Sequence, residues 1–360
     1  MIYIGVMSGT SLDAIDVALC SIDRYSCTLL ASLSYPFDKS LKEEILDVID
    51  GTTTLKQIGK IDTHLGIEYS KAINLLLKEQ NLNPKEVKAI GLHGQTLWHE
   101  PRGEFPFSMQ LGNPSLVAVR CGIDVVSDFR QKDIALGGEG APFAPAFHKE
   151  LFSHINKCAV VNIGGMVNIS LFFPTIIGYD CGCGNMLMDL WINEVKGKSY
   201  DHNGEWAKSG KINLELLESM LDDEYFKLKY PKSTGREYFN KDFLIKYLEP
   251  FDKISDRDIQ ATLLELTARI IADEIKKFDI EKLLVCGGGA KNIYLLDRIQ
   301  TNLPYLKVDI TDNYGVSSDN MEAMIFAWFA YKRLKNETID LKTVTGAKIN
   351  TILGGIYASN

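Results

Sequence analysis

The sequence predicts an α/β fold built from two similar halves, and three observations carry that prediction. The chain opens on apolar runs separated only by tight turns. Strand-like and helical periodicities then alternate, and the pattern partly repeats after residue 158.

Taken in order, residues 2–6, 15–21 and 27–35 read as strands, and connections this short require antiparallel pairing. Residues 41–50 and 55–80 have helical spacing, with Leu65, Tyr69, Ile73 and Leu76 at steps of three and four along one face. The runs 87–92 and 123–127 read as further strands, and strand–helix–strand order implies parallel pairing. The first part is therefore expected to be a mixed sheet. In the second part, 158–163, 168–173 and 176–180 read as strands, with a Gly-Gly turn after the first. Helices follow near 184–195, 212–221 and 239–249, then a long amphipathic one over 258–278. A buried strand, 283–286, ends in Gly287-Gly288-Gly289; helix, strand and helix follow, the last near 319–334. The Gly- and Pro-rich stretch 128–150 reads as a hinge or cleft segment between the halves.

Composition narrows the class. With 46% hydrophobic and 24% charged residues over 360 positions, the chain can bury the cores of two or three domains. A net charge of -8 offers no electrostatic footprint for nucleic acid, so an anionic small molecule would need a local basic site. The seven cysteines lie mostly in apolar runs, as buried reduced thiols do, and no C-x-x-C pair supports a zinc site. Cys181 and Cys183 form a C-x-C pair, but the flanking glycines and Asp180 favour a tight turn. The amino terminus reads as a strand and no apolar run reaches spanning length, so a soluble, cytoplasmic chain without a membrane partner is expected.

Three glycine turns follow apolar strands: Ser8-Gly9-Thr10-Ser11, Gly164-Gly165 and Gly287-Gly288-Gly289. In an open α/β sheet, strand C-termini line the ligand crevice. The first turn, with Asp13 and Asp16 just beyond it, offers backbone N–H groups and hydroxyls for a phosphate and carboxylates for Mg²⁺. GxxxxGK[ST] is absent, and no GxGxxG follows the first strand, so Walker-type and dinucleotide sites are disfavoured. His93, Gln95 and Thr96 offer three hydrogen-bonding side chains at one strand end, suited to sugar hydroxyls or to satisfying one another. Asp128 and Arg130 also lie at a strand end; Arg130 suits a substrate carboxylate, and an Asp128–Arg130 ion pair competes with that reading. Asp180 precedes a Gly-x-Gly turn and is either a catalytic carboxylate or the cap of the next helix. Asp189 is expected to face solvent or support a loop, Asn113 to cap a helix opened by Pro114, and 232–236 to touch a nucleotide, close over the cleft or form an ordinary surface loop.

The series GVMSGTSLDAIDVAL, GLHGQTLWHEP, QLGNPSLVA, DFRQKDIALGGEGAPFAPAFH, NIGGMVNIS, GYDCGCGNMLMD, KSTGRE and VCGGGAKN resembles the anhydro-N-acetylmuramic acid kinase family, in family order and over nearly the whole chain. The resemblance implies two actin-like (ribonuclease H-like) domains with mixed sheets flanking an active-site cleft. The expected division is 1–130 plus a C-terminal helix and tail at about 335–360, against 131–334. It implies an ATP- and Mg²⁺-dependent kinase that opens a 1,6-anhydro sugar with water and phosphorylates O6. It further implies ATP contacts at Gly9, Thr10, Ser11, Leu12, Asp13, Ala14, Ile15, Asp16, Gly164, Gly165, Asn168, Gly287, Gly288 and Gly289, with Asp13 a metal ligand. Asp180 becomes the catalytic base, and Glu322 joins His93, Gln95, Thr96, Asp128 and Arg130 near the sugar, unless it is a solvated first-turn glutamate. A homodimer is expected from the same resemblance. A kinase of the same fold acting on another sugar, such as levoglucosan, is the alternative. Two departures stand out: Ala14 where members often have Gly, and Cys183 where Pro is common. Neither removes a reactive group.

Overall fold

A computed structural model of the chain describes residues 1–9, 12, 14–24, 26–49, 51, 53–172, 175–230, 232–251 and 253–360. In chain order the first strands are β1 (Ile2–Ser8), β2 (Ala14–Ile22), β3 (Cys27–Pro36), β4 (Val87–Leu92), β5 (Gln95–Glu100), β6 (Phe107–Leu111) and β7 (Val125–Ser127). There follow β8 (Cys158–Ile163), β9 (Met166–Leu171), β10 (Ile177–Cys183), β11 (Lys282–Cys286), β12 (Lys307–Ile310) and β13 (Gly355–Tyr357). The chain forms two compact units, Met1–Leu151 with Asn320–Asn360, and Phe152–Asp319.

The first unit holds a six-stranded sheet ordered β13-β7-β4-β1-β2-β3. The opening meander pairs antiparallel, and β4 and β7 extend β1 in parallel. The second unit holds a five-stranded sheet ordered β10-β9-β8-β11-β12, again an antiparallel meander continued by two parallel strands. This repeated order is that of ribonuclease H-like, actin-like domains. The repeat read from the sequence is thus a topological one.

Side-chain alternation along β1 builds the first unit. Ile4 and Val6 enter a core shared with the helix Leu55–Glu79, whose Leu65, Tyr69, Ile73 and Leu76 are fully buried as their spacing predicts. Thr54 and Gln57 start that helix with a reciprocal capping box. On the other face, Gly5 and Gly91 bring the helix Met321–Leu334 against the sheet; a Cβ on either would meet a helix carbonyl, Ala323 O at 1.8 Å or Phe326 O at 1.9 Å.

That packing moves the boundaries expected from sequence. Residues 320–334 belong with the first sheet, and so do 131–151. The segment 128–150, expected as a hinge or cleft segment between the halves, is part of the first unit, held by buried Asp133, which accepts from Gly140 N (2.8 Å) and Thr345 Oγ1 (2.9 Å). In the second unit the helix Asp256–Ile275 is buried on nearly all sides rather than amphipathic; its Glu265 Oε2 lies 2.6 Å from Arg298 Nε, whereas both amide atoms of the buried Gln260 have no hydrogen-bond partner among the described residues. All seven cysteines are buried thiols outside any disulfide. No helix among the described residues is long and apolar enough to cross a membrane.

Candidate active site

Thr10, Ser11 and Asp13 lie outside the described residues. Around them, Leu12 N donates to Gly9 O (3.2 Å), and Leu12 takes φ +54° with its side chain fully buried. A leucine in the left-handed region is strained, and burial of its side chain holds it there. The turn is therefore pinned from beneath. Ala14 opens β2 opposite Pro36 in ordinary extended pairing, so the Gly-to-Ala departure is accommodated. Ile15 is buried on the same strand, and Asp16 accepts from Ser34 Oγ (2.8 Å).

The first unit gathers most of the predicted sugar-binding residues. Arg130 donates from Nε and Nη2 to His93 Nε2 (3.0 and 2.9 Å) and from Nη1 to Gly140 O (2.7 Å). A ring nitrogen that accepts from a guanidinium is unprotonated, so His93 carries its proton on Nδ1. Burial, and then the guanidinium, hold His93 well below the ordinary imidazole range. Burial lowers Arg130 to about 10, and Glu322 opposes that. Arg130 bonds His93 and Gly140 rather than Asp128 and keeps one N–H on each terminal nitrogen; Asp128 is exposed, yet partial desolvation raises its carboxyl, which receives the Gln131 N–H. Glu322 is exposed in the first turn of the helix Met321–Leu334; partial desolvation raises its carboxyl, Asp16 raises it further and Arg130 opposes both. Gln95 is almost fully buried, and its Oε1 is an unpartnered acceptor. Thr96 Oγ1 accepts from Gln110 Nε2 (3.2 Å) across the β5–β6 hairpin, an element the sequence did not suggest.

In the second unit two predicted glycine turns converge. The Gly164-Gly165 carbonyls accept from the backbone of Gly184 and Asn185, both at 2.8 Å, at the start of the helix Met186–Lys196. Gly287 takes φ +78°, and a Cβ there would lie 2.3 Å from Asn162 Oδ1 at the end of β8; one on Gly289 would strike Ile163. Gly288 lies beside Asn185, where a Cβ would sit 3.6 Å from Nδ2. Glycine is required here for close backbone approach.

Asp180 lies within β10, which runs on to Cys183 past a bulge between Asp180 and Gly182. Capping is excluded, since Asn185 occupies the N-cap of the following helix. Instead Asp180 Oδ1 accepts from Asn168 Nδ2 (3.2 Å) and Oδ2 from the Thr234 N–H (3.1 Å), while its own N–H donates to Lys232 O (3.1 Å). Asn168, expected among ATP contacts, thus serves the carboxylate. Burial raises Asp180 above the ordinary range; Thr234 and Asn168 pull it down, and Glu237 pushes it up again. Each carboxylate oxygen keeps a further lone pair, so the group can still accept a proton.

The loop 232–236 is therefore the wall of the Asp180 site and not an ordinary surface loop. Its contribution escapes sequence reading because a backbone N–H has no side-chain signature, although the KSTGRE run marks the place. Asn113 caps the helix Pro114–Cys121 as expected. Asp189 departs from expectation: it is half-buried, and burial, then Asp201, push its carboxyl up to about 7. A carboxyl that holds its proton more tightly folded than unfolded makes the fold lose stability as pH rises from about 4 to about 7. Asp189→Asn is expected to remove that loss: its melting temperature exceeds the parent's at pH 8 and converges with it near pH 4.

The family model for anhydro-N-acetylmuramic acid kinase matches residues 1–359. A protein of that name from Sulfurovum sp. is 56% identical over 357 residues, covering 99% of this chain and 98% of its own. One from Sulfurimonas denitrificans is 54% identical over 363 residues, covering 99% of each. Among solved structures, the ADPNP-bound activator of a 2-hydroxyisocaproyl-CoA dehydratase from Clostridium difficile superposes at TM-score 0.45 with 12% identity, over 93% of this chain and 96% of its own. A ROK-family glucokinase from Streptomyces griseus superposes at 0.40 with 12% identity, over 92% and 100%. At those values neither likeness bears on substrate or mechanism. Matched from end to end by the family model and by relatives more than half identical, the chain belongs to the anhydro-N-acetylmuramic acid kinase family.

Proposed function

We propose that this enzyme couples hydrolytic opening of 1,6-anhydro-N-acetylmuramic acid to ATP-dependent phosphorylation of O6. The products are N-acetylmuramic acid 6-phosphate and ADP, in the recycling of cell-wall (peptidoglycan) sugars. Family membership makes it an ATP-dependent sugar kinase. The observation that carries the mechanism is the Asp180 carboxylate, held by Asn168 and Thr234 with lone pairs to spare.

Asp180 takes a proton from water as the water oxygen attacks C1 of the sugar. The C1–O6 bond breaks, and its electron pair forms the new O6–phosphorus bond as the γ-phosphoryl group leaves ADP. O6 therefore needs no proton, and one carboxylate suffices where ordinary glycosidases use two. His93, Gln95, Thr96, Asp128, Arg130 and Glu322 bind the sugar. The unpartnered Oε1 of Gln95 supports a hydroxyl contact, and Arg130 suits the lactyl carboxylate, with His93 holding the fork in orientation.

The turns Gly9–Leu12, Gly164-Gly165 and Gly287–Gly289 bind ATP. Gly287→Ala adds a Cβ to a left-handed, crowded position. It is expected to lower the melting temperature and raise the KM for ATP by about tenfold or more, both checked on the purified variant. Among the described residues no group of three or more His, Cys, Asp or Glu side chains is placed to hold a metal. A nucleotide-borne Mg²⁺ needs only one or two protein carboxylates, which Asp13 and Asp16 would supply; bound there, it neutralises charge on the transferred phosphoryl group. Family membership supports a homodimer working in the cytoplasm, with sedimentation as the check.

The test is turnover of two anhydro sugars with ATP. The muramic acid form is expected to react and levoglucosan to react far more slowly. Preference for the neutral sugar would overturn the substrate assignment.

A further inference from the structure

Behind the Asp180 wall lies a buried charge cluster. Lys232 Nζ donates to Glu274 Oε1 (2.9 Å), with the two side chains only 3% and 6% exposed. Tyr179 Oη (3.0 Å) and Lys277 Nζ (2.6 Å) complete the Glu274 carboxylate on Oε2. The Lys232 ammonium also sits 4.9 Å from the centroid of the Tyr225 ring, and the Tyr225 hydroxyl donates to Asp180 O (2.8 Å). Burying a lysine and a glutamate together is expensive compared with packing two apolar residues there. What such a pair can contribute instead is direction, fixing the geometry of the segments it joins.

What it fixes is visible in the backbone. Lys232 O receives the Asp180 N–H, and two residues later Thr234 N–H reaches Asp180 Oδ2. The side chain of Lys232 is thus the anchor, on the helix Asp256–Ile275, of the stretch that grips Asp180 by its backbone and its carboxylate. We infer that Lys232 is a positioning residue for Asp180: its ion pair with Glu274 holds residues 232–234 in register with β10, so that the Thr234 N–H stays on the base. The inference rests on the reading of Asp180 as the base.

Two consequences separate positioning from mere stability. A misplaced base slows chemistry but leaves ATP and sugar binding alone. The Thr234 N–H also favours the ionised carboxylate, against burial and against Glu237; Tyr225 and Cys181 are the other titratable groups nearby, and both are raised by burial. Loosening the loop therefore moves the acid limb of the kcat profile upward.

The experiment measures kcat and both KM values for Lys232→Met, Glu274→Gln and Asp180→Asn across pH, with ATP and the anhydro sugar. Lys232→Met is expected to lower kcat by about tenfold, change each KM by less than about twofold and raise the acid limb by about 0.5 to 1 pH unit. Glu274→Gln, which keeps an oxygen for Lys232, moves the limb the same way by less. The limb position does not depend on how much of the variant folds, and the milder Gln variant carries the test if the Met variant does not fold. Acid limbs at the parent's pH in the folded variants, with Asp180→Asn inactive, overturn the positioning role alone. An active Asp180→Asn overturns the base reading instead.

Discussion

Asp180→Asn is expected to lower kcat by about 10²- to 10⁴-fold, the usual contribution of a positioned general base, with little change in either KM. The side chain keeps its shape, but its amide cannot take a proton from water. The fold should survive. Enclosure raises the Asp180 carboxyl above its unfolded value, so the ionised form is a cost to the folded state at neutral pH, and that cost disappears with the charge. Against this, one of the two donors, Asn168 Nδ2 or Thr234 N–H, is left facing an amide NH₂. The melting temperature at pH 7 should accordingly stay near the parent's while turnover collapses. Turnover within about tenfold of the parent would exclude Asp180 as the base.

Gly91→Ala is expected to have a large effect on stability, as Gly5→Ala would. The glycine lies on β4 against the helix Met321–Leu334, and an added Cβ would sit 1.9 Å from Phe326 O and 2.5 Å from Phe326 C. Both atoms are backbone, so no rotamer change relieves the clash and the helix must lift from the sheet. That helix buries Phe326, Ala327, Trp328 and Phe329, and lifting it opens their packing. A loss of at least about 3 kcal/mol follows, which for a protein of this size lowers the melting temperature by roughly 4 °C or more. Gly59→Ala is the control: the glycine is exposed in the helix Leu55–Glu79 with nothing within 4 Å of an added Cβ. There alanine should stabilise by about 0.5 to 1 kcal/mol. Thermal melts of the two variants, measured together, check both signs.

These glycines also show how far the sequence could be read. The opening strands, the Leu65–Leu76 face and the strand-end turns announce themselves through local periodicity and residue type. The owner of the helix Met321–Leu334 does not. MEAMIFAWFAY is apolar on every side and fits either sheet; only Gly5 and Gly91, hundreds of residues away, decide for the first. The segment 128–150 is legible only in part: its glycines and prolines suggest a hinge or cleft segment, but not the Asp133–Thr345 bond that ties it to the first unit. At the site, Asp180 and Arg130 are legible as charged residues beside strand ends. Their partners are less so: His93 orients Arg130 instead of standing free, Asn168 serves Asp180, and the decisive Thr234 donor is a main-chain group. Lys232 reads as a solvent-exposed charge until Glu274 and Tyr225 are seen around it.

The most direct test of the central claim follows oxygen. The enzyme is given ATP and 1,6-anhydro-N-acetylmuramic acid in ¹⁸O-water, and the product is analysed by mass spectrometry at short times, before the anomeric hydroxyl exchanges. Hydrolytic opening coupled to phosphorylation predicts a 6-phosphate with one label on C1 and none in the phosphoryl group. An unlabelled phosphorylated sugar, or label entering only the phosphate, would contradict it.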